Sequence, residues 1–136
     1  MITHILDSSA WLAHIFEEPG GDEVTALFED PETEIGISVL SLLEVHVQFR
    51  IKDRTDDFHE MVESYRPLFS RIIIANEPVI LRAVNLREAA SARLPAIDSM
   101  IAATAALQGA VLVHRDAHFL SIPDHLLTQE MLAAEL

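Results

Sequence analysis

Short, continuous apolar runs alternate with helical segments along the whole chain, and this alternation restricts the fold more than any other feature. Apolar residues dominate these runs, as expected for strands that are buried on both faces. We therefore predict an α/β fold, a three-layer sandwich with a mainly parallel central sheet and helices on both faces. The predicted strands are residues 2–6, 35–38, 72–75 and 111–113, with an edge strand around Leu126 and Leu127.

Helix boundaries are predicted from capping residues and breakers. Ser8 or Ser9 is expected to cap a helix directly after the first strand. A long helix is predicted over residues 77–94, with a proline in its first turn. Asp98 is expected to open an alanine-rich helix that ends at Gly109, a residue type favoured just after a helix end.

Composition limits the class of protein. The 136 residues predict a single domain over residues 1–136, long enough to form a hydrophobic core. Cysteine is absent, which excludes disulfides, thiolate zinc sites and cysteine nucleophiles. The first residues lack the basic start and apolar run of a signal peptide, and acidic or basic residues interrupt every candidate membrane span. We therefore expect a cytoplasmic protein that does not interact with a membrane.

The net charge of −13, with only nine Lys and Arg residues, has two interpretations. Nucleic-acid-binding proteins usually present a basic stripe, since much of their affinity comes from phosphate contacts. An acidic surface can simply keep a protein soluble, and some acids can bind cations instead. Composition alone does not separate the two.

Two acids directly follow predicted strands that are far apart in sequence. Asp7 comes after the first strand and Asp116 after the fourth. In open α/β sheets, ligands bind beyond the carboxyl ends of the strands, so both acids are candidate site residues. The alternative is that each caps the turn or helix that follows, where aspartate is common.

Asp98 and Glu44 are the other candidates. A helix start stabilises the ionised form of Asp98, and the small residues that follow let its helix approach the sheet closely. Glu44 lies in an otherwise apolar helical stretch, residues 39–45. It either projects into solvent between buried neighbours or is partly buried and needs a partner.

A divalent cation would make such a group of acids stable. Clustered carboxylates raise one another's pKa, and a cation removes that conflict. Mg²⁺ and Mn²⁺ prefer oxygen ligands and keep several waters. One or two such ions could activate water and hold a phosphodiester.

Four short segments of the chain form a recognisable series. They read ILDSSA at residues 5–10, SVLSLLEV at 38–45, DSMIAATA at 98–105 and LVHRDAHF at 112–119. In order and spacing they resemble the PIN domain family, most closely its VapC-like toxins from toxin–antitoxin pairs, and the match covers nearly the whole chain. Each segment is weakly specific alone, whereas four in order are fairly specific.

The resemblance implies a PIN fold and an endoribonuclease that depends on Mg²⁺ or Mn²⁺. It also implies a homodimer and a cognate antitoxin that blocks the site. By position, the metal-binding and catalytic residues would be Asp7, Glu44, Asp98 and Asp116.

Three further positions bear on this resemblance. Ser8 matches a small polar residue that can orient a ligand or water. His118 stands where many members have another acid, and it could contact a metal or phosphate, or only cover the site. His114 replaces a Thr or Ser, and both histidines are more commonly surface or packing residues.

Three hypotheses for the function of the protein remain. The first is an endoribonuclease, the toxin of a toxin–antitoxin pair, that cleaves RNA with metal-activated water. The second is a catalytically weak or inactive PIN fold that binds RNA or protein. The acidic composition favours this hypothesis over an active nuclease. The third is another phosphatase or nuclease with an acid cluster. A haloacid-dehalogenase type would have aspartate at position 9, where this chain has Ser9.

Overall fold

A computed structural model of the protein describes residues 1–133. Within them, five strands pair in parallel to form one central sheet, which confirms the predicted α/β fold. The strands are β1 (His4–Leu6), β2 (Ile35–Ser38), β3 (Arg71–Ile73), β4 (Val111–His114) and β5 (Gln129–Met131).

Helical segments connect the strands, as crossover connections between parallel strands require. Two short 3₁₀ turns, Thr55–Asp57 and Ala117–Ser121, complete the regular structure of the described residues. The helices are α1 (Ser8–Ile15), α2 (Gly21–Glu29), α3 (Leu40–Ile51), α4 (Phe58–Tyr65), α5 (Glu77–Ala89) and α6 (Ala96–Gln108). None of them is long and apolar enough to span a bilayer.

The strand order, β3-β2-β1-β4-β5, places β1 at the centre of the sheet. The chain runs outward from β1 to β3 and then returns to place β4 on the other side of β1. Between β1 and β4 the direction of winding therefore reverses. A crevice at such a reversal, outside the carboxyl ends of the strands, is the usual ligand site of an open α/β sheet.

The hydrophobic core lies on both faces of the sheet. Successive β1 residues point to opposite faces, so Ile5 packs with α5 and α6, and Leu6 packs with α1 to α4. Trp11 is fully buried in the second cluster, where its ring meets those of Tyr65 and Phe69 edge to face. The continuous apolar strands are thus explained by burial on two faces.

The alanine-rich helix α6 packs against α5 and against the β1 and β4 strands. Its fully buried residues include Ala102, Ala103 and Ala105, whose small side chains allow this close approach. The helix ends at Gly109, which adopts a left-handed conformation with φ of 63°. Its N–H group donates to carbonyls of the last turn, as predicted for a glycine after a helix end.

Several predicted boundaries are wrong. The edge strand is Gln129–Met131, not the apolar pair Leu126 and Leu127, because Leu127 fills the core from the short segment before β5. Helix α5 ends at Ala89, five residues before the predicted end. The chain then bends, with Ser91 N–H donating to the Ser121 carbonyl.

Candidate metal centre

All four predicted acids line one cleft at the carboxyl edge of the sheet, hereafter the carboxylate cleft. Asp7 follows β1, Glu44 lies in the second turn of α3, Asp98 lies in the first turn of α6 and Asp116 follows β4. The cleft has a volume of about 370 Å³, and Ser8, Leu12, Leu43, Val47 and Ile97 also line it. It lies at the winding reversal between β1 and β4, as the strand-end argument predicts.

Asp98 and Asp116 come closest together, and His118 joins them. Ligand atoms of these three side chains all lie within 4.8 Å of one another. His118 Nδ1 is 2.9 Å from Asp116 Oδ1 and 3.5 Å from Asp98 Oδ2. Asp7 and Glu44 line the same cleft but are outside this closest group.

Asp7 is buried and has a structural as well as a candidate chemical role. Its Oδ1 accepts a 2.8 Å hydrogen bond from Ala10 N–H, so Asp7 itself caps α1, where Ser8 or Ser9 was predicted. Ser9 Oγ donates to the same carboxylate, 2.7 Å from Oδ1. The capping interpretation of Asp7 is therefore correct, and it coexists with a place in the cleft.

Burial raises the pKa of the Asp7 carboxyl from 3.8 to about 7, although hydrogen bonds from Ala10 and Ser9 oppose the rise. The negative charges of Asp116 and Asp98 raise it further. Burial also raises the pKa of Asp98, to about 6, with added contributions from Asp116 and Glu44 and an opposing one from His118. In both carboxyl groups the charged form is disfavoured first by burial and then by the neighbouring carboxylates.

Glu44 is partly buried, and its partner is a hydroxyl group. Ser8 Oγ donates a 2.5 Å hydrogen bond to Glu44 Oε1, which joins the start of α1 to α3. Ser8 itself is buried. The structure thus places the predicted supporting residue Ser8 where it fixes the orientation of a cleft carboxylate.

Asp98 does not cap its helix, contrary to the sequence prediction. Helix α6 begins at Ala96, with Pro95 at the capping position, and Asp98 is the third helical residue. Its side chain is 17% exposed and points toward His118 and the cleft. Because no backbone N–H of the helix occupies its oxygens, Asp98 is available to a ligand.

Asp116 is held by its own loop. Its Oδ1 accepts a 2.9 Å hydrogen bond from His118 N–H, as expected of an aspartate before a turn. Its backbone N–H donates to Nδ1 of His114, 3.1 Å away. The side chain remains 33% exposed, on the open side of the cleft.

His114 positions this loop, a role that sequence reasoning did not assign. It is fully buried, and its Nε2 lies 2.8 Å from Gln129 Oε1 on β5. Since Nδ1 accepts from Asp116 N–H, Nε2 holds the proton and donates to Gln129. Burial lowers the pKa of His114, which keeps the ring neutral. The only sequence signal was a polar residue at the end of an apolar strand.

The donor set fits a divalent cation. Carboxylate oxygens are typical ligands of Mg²⁺ and Mn²⁺, and an imidazole nitrogen suits a transition-metal ion better than Mg²⁺. Within residues 1–133, no Lys or Arg side chain forms an ion pair with any of the four acids. Burial raises the pKa values of Asp7 and Asp98 most, and a cation would offset the carboxylate repulsion that adds to it.

The sequence profile of the PIN domain family matches residues 4–124. The chain belongs to the PIN domain family, and its parallel sheet with an acidic cleft at the carboxyl edge agrees with that assignment. No curated protein matches the chain.

Solved structures confirm the fold. A chain of VapBC2 from Rickettsia felis, bound to a promoter DNA fragment, has a TM-score of 0.77 at 20% identity, with 98% of this chain and 100% of that chain covered. A chain of FitAcB from Neisseria gonorrhoeae has a TM-score of 0.73 at 22% identity, with 94% and 97% covered. A chain of VapBC-5 from Mycobacterium tuberculosis, a member of a toxin–antitoxin family, has a TM-score of 0.66 at 20% identity, with 98% and 100% covered.

Proposed function

We propose that the protein is a metal-dependent endoribonuclease, the toxin component of a toxin–antitoxin pair, which hydrolyses RNA in the carboxylate cleft. The observation that most supports this is the approach of Asp98, Asp116 and His118 to within 4.8 Å in a cleft that also holds Asp7 and Glu44. PIN domains are generally nucleases, and PIN nucleases generally use divalent metals.

Asp98 and Asp116 would hold Mg²⁺ or Mn²⁺, and Asp7 and Glu44 would complete the acidic surroundings. Bound there, the cation would supply an activated water and neutralise charge on the scissile phosphodiester. Ser8 fixes Glu44 by its hydrogen bond, and Ser9 fixes Asp7. The residues assigned to catalysis are therefore Asp7, Glu44, Asp98 and Asp116.

The acidic composition is compatible with an RNA substrate when the cation supplies the positive charge at the reacting phosphate. A net charge of −13 opposes tight binding along the RNA backbone, since few basic side chains can release counterions. We expect a nuclease with weak general affinity for RNA. Its affinity for RNA should fall only weakly as the salt concentration rises, as expected for few phosphate contacts.

Partners form a second part of the proposal. Solved structures of similar fold include toxin–antitoxin complexes, which supports a cognate antitoxin. We also propose that the protein forms a homodimer and acts in the cytoplasm. Exposed apolar side chains on two helices provide surface for such contacts. Light scattering of the protein alone, and of the protein co-expressed with the product of the adjacent gene, would test them. These side chains are Leu43, Val47 and Ile51 on α3 and Ile80, Leu81 and Val84 on α5.

The test is cleavage of a mixed tRNA and rRNA pool by the purified protein, freed of any partner. It is run with Mn²⁺, with Mg²⁺ and with EDTA, beside Asp116→Asn and the exposed-loop control Asp124→Asn. We expect cleavage that requires a cation, fails in Asp116→Asn and persists in Asp124→Asn.

Intact RNA in every reaction would contradict the nuclease. With RNA retained by the protein in a binding assay, that result would support the alternative, a PIN-fold binding module. Cleavage that continues in EDTA would also contradict the proposal.

A further inference from the structure

His118 is placed to contact whatever the two nearest acids hold. Its Nδ1 faces Asp116 at 2.9 Å and Asp98 at 3.5 Å, while the ring is 56% exposed. The backbone at this position is fixed, because His118 N–H donates to Asp116 Oδ1 and Ser121 Oγ donates to the His118 carbonyl. The ring nitrogen is thus directed at the acids by its own turn.

The two separations from His118 Nδ1 are close to those of neighbouring ligands around one cation. In an octahedral site with metal–ligand distances of about 2.1 Å, adjacent ligand atoms lie about 3 Å apart. The distances from Nδ1 to Asp116 Oδ1 and Asp98 Oδ2, 2.9 and 3.5 Å, lie close to that value. Small side-chain rotations would allow His118, Asp98 and Asp116 to share an ion.

A nitrogen ligand changes which cation is preferred. Mg²⁺ is a hard cation that prefers oxygen ligands and loses water reluctantly, whereas imidazole suits transition-metal ions. A site of oxygen ligands alone accepts Mg²⁺ and Mn²⁺ with little distinction from ligand type. Replacing one oxygen ligand with a neutral imidazole weakens the site for Mg²⁺ more than for Mn²⁺.

We propose that His118 binds the catalytic cation through Nδ1 and makes this centre selective for Mn²⁺ over Mg²⁺. This inference rests on the proposed function, since it assigns a specificity-determining ligand to the same cleft. The simpler alternative is that His118 only forms an ion pair with Asp116 and leaves the cation untouched. Those two accounts differ in whether nitrogen is bonded to the metal.

Among residues 1–133, His118 is the histidine that groups with Asp98 and Asp116. His114 is nearest in sequence, but Asp116 N–H occupies its Nδ1 and Gln129 occupies its Nε2. His59 lies exposed on α4, with no acid close enough for an ion pair among residues 1–133. His59→Asp is therefore a matched control for His118→Asp.

The experiment uses the full chain without a histidine tag, loaded with Mn²⁺ and examined by pulsed electron paramagnetic resonance. We expect a nitrogen hyperfine coupling in the wild type and in His59→Asp, and its loss in His118→Asp. Calorimetric titrations with Mn²⁺ and with Mg²⁺ alone give the selectivity. The ratio of the Mg²⁺ to the Mn²⁺ dissociation constant should fall at least about tenfold in His118→Asp.

Separate outcomes would overturn separate claims. Mn²⁺ that binds the wild type and is lost in Asp98→Asn, but shows no nitrogen coupling, would overturn the role of His118 and leave the metal centre intact. Failure of any divalent cation to bind the wild type would overturn both. A His118→Asn variant, tested for folding by circular dichroism, replaces His118→Asp if the extra acid prevents folding, and the same loss of coupling is expected.

Discussion

The backbone N–H of Arg115 donates a 2.9 Å hydrogen bond to Ser9 Oγ, joining two residues that are 106 positions apart in sequence. Ser9 in turn donates to the carboxylate of Asp7. One hydroxyl group therefore joins the segment after β1 to the segment after β4. Through this group, the positions of Asp7 and Asp116 depend on each other.

Ser9→Ala should weaken both the fold and the cation site. The Arg115 N–H loses its acceptor, which should lower the free energy of unfolding by about 1–3 kcal/mol. Cation affinity should fall about tenfold, as is typical when a group that supports metal ligands is removed. Urea titration and calorimetry measure the two effects. Ser9→Thr, which keeps the hydroxyl, should restore both.

The exposed Ser64 provides the matched control for Ser9→Ala. Its Oγ donates only to the Met61 carbonyl within α4. Ser64→Ala should leave cation affinity unchanged. Equal effects of the two substitutions on cation affinity would contradict the role assigned to Ser9.

Asp98→Asn should fold without loss of stability in EDTA, because Asp98 does not cap α6 and its charge is repelled by Asp116 and Glu44. It should lose stabilisation by the cation. At about 100 times its dissociation constant, a ligand stabilises the folded state by about 2.7 kcal/mol. Thermal unfolding with and without Mn²⁺ measures this gain, which is expected in the wild type and not in the variant. An unfolded variant would show that Asp98 is structural.

Stability without a cation should decrease as pH rises, because of Asp7. Its pKa in the folded protein, about 7, lies above the ordinary value of 3.8. The stability that its protonated form provides is therefore fully present below about pH 4 and is lost as pH rises through about 7. Relative to Asp7→Asn, the wild type should lose free energy of unfolding across this range in urea titrations with EDTA.

Asn also caps helices well, so Asp7→Asn retains the hydrogen bond to Ala10. Ser64→Ala, which removes an exposed hydroxyl and no titratable group, should show the same pH dependence as the wild type. We compare the free energy of unfolding as a function of pH for the wild type and Asp7→Asn. If the two curves run parallel from about pH 4 to about pH 7, the assigned environment of Asp7 is wrong.

The sequence predicted the sheet well because its central strands are continuous apolar runs. It predicted β2 at its observed bounds, residues 35–38. It missed β5, since Gln129 and Glu130 are polar and that strand forms by pairing with β4, a contact that no local pattern reveals. The apolar Leu127 instead fills the core from the segment before β5, where hydrophobicity alone suggested a strand.

The candidate site was predictable in position but not in detail. Strand ends and a helix start correctly placed Asp7, Asp116 and Asp98 at one edge. The sequence could not show that Asp7 caps α1 or that Asp98 does not cap α6, because aspartate is favoured at both positions. The buried role of His114 depends on Gln129, fifteen residues away, and so required the tertiary structure.

The ends of the RNA products give the most direct test of hydrolysis by water in the carboxylate cleft. Attack by water leaves a linear phosphate on one product end, whereas attack by the neighbouring ribose hydroxyl leaves a cyclic phosphate. With Mn²⁺ or Mg²⁺ we predict linear phosphate ends only, and no cleavage by Asp116→Asn. Cyclic phosphate ends that form equally in EDTA and with Asp116→Asn would contradict the account.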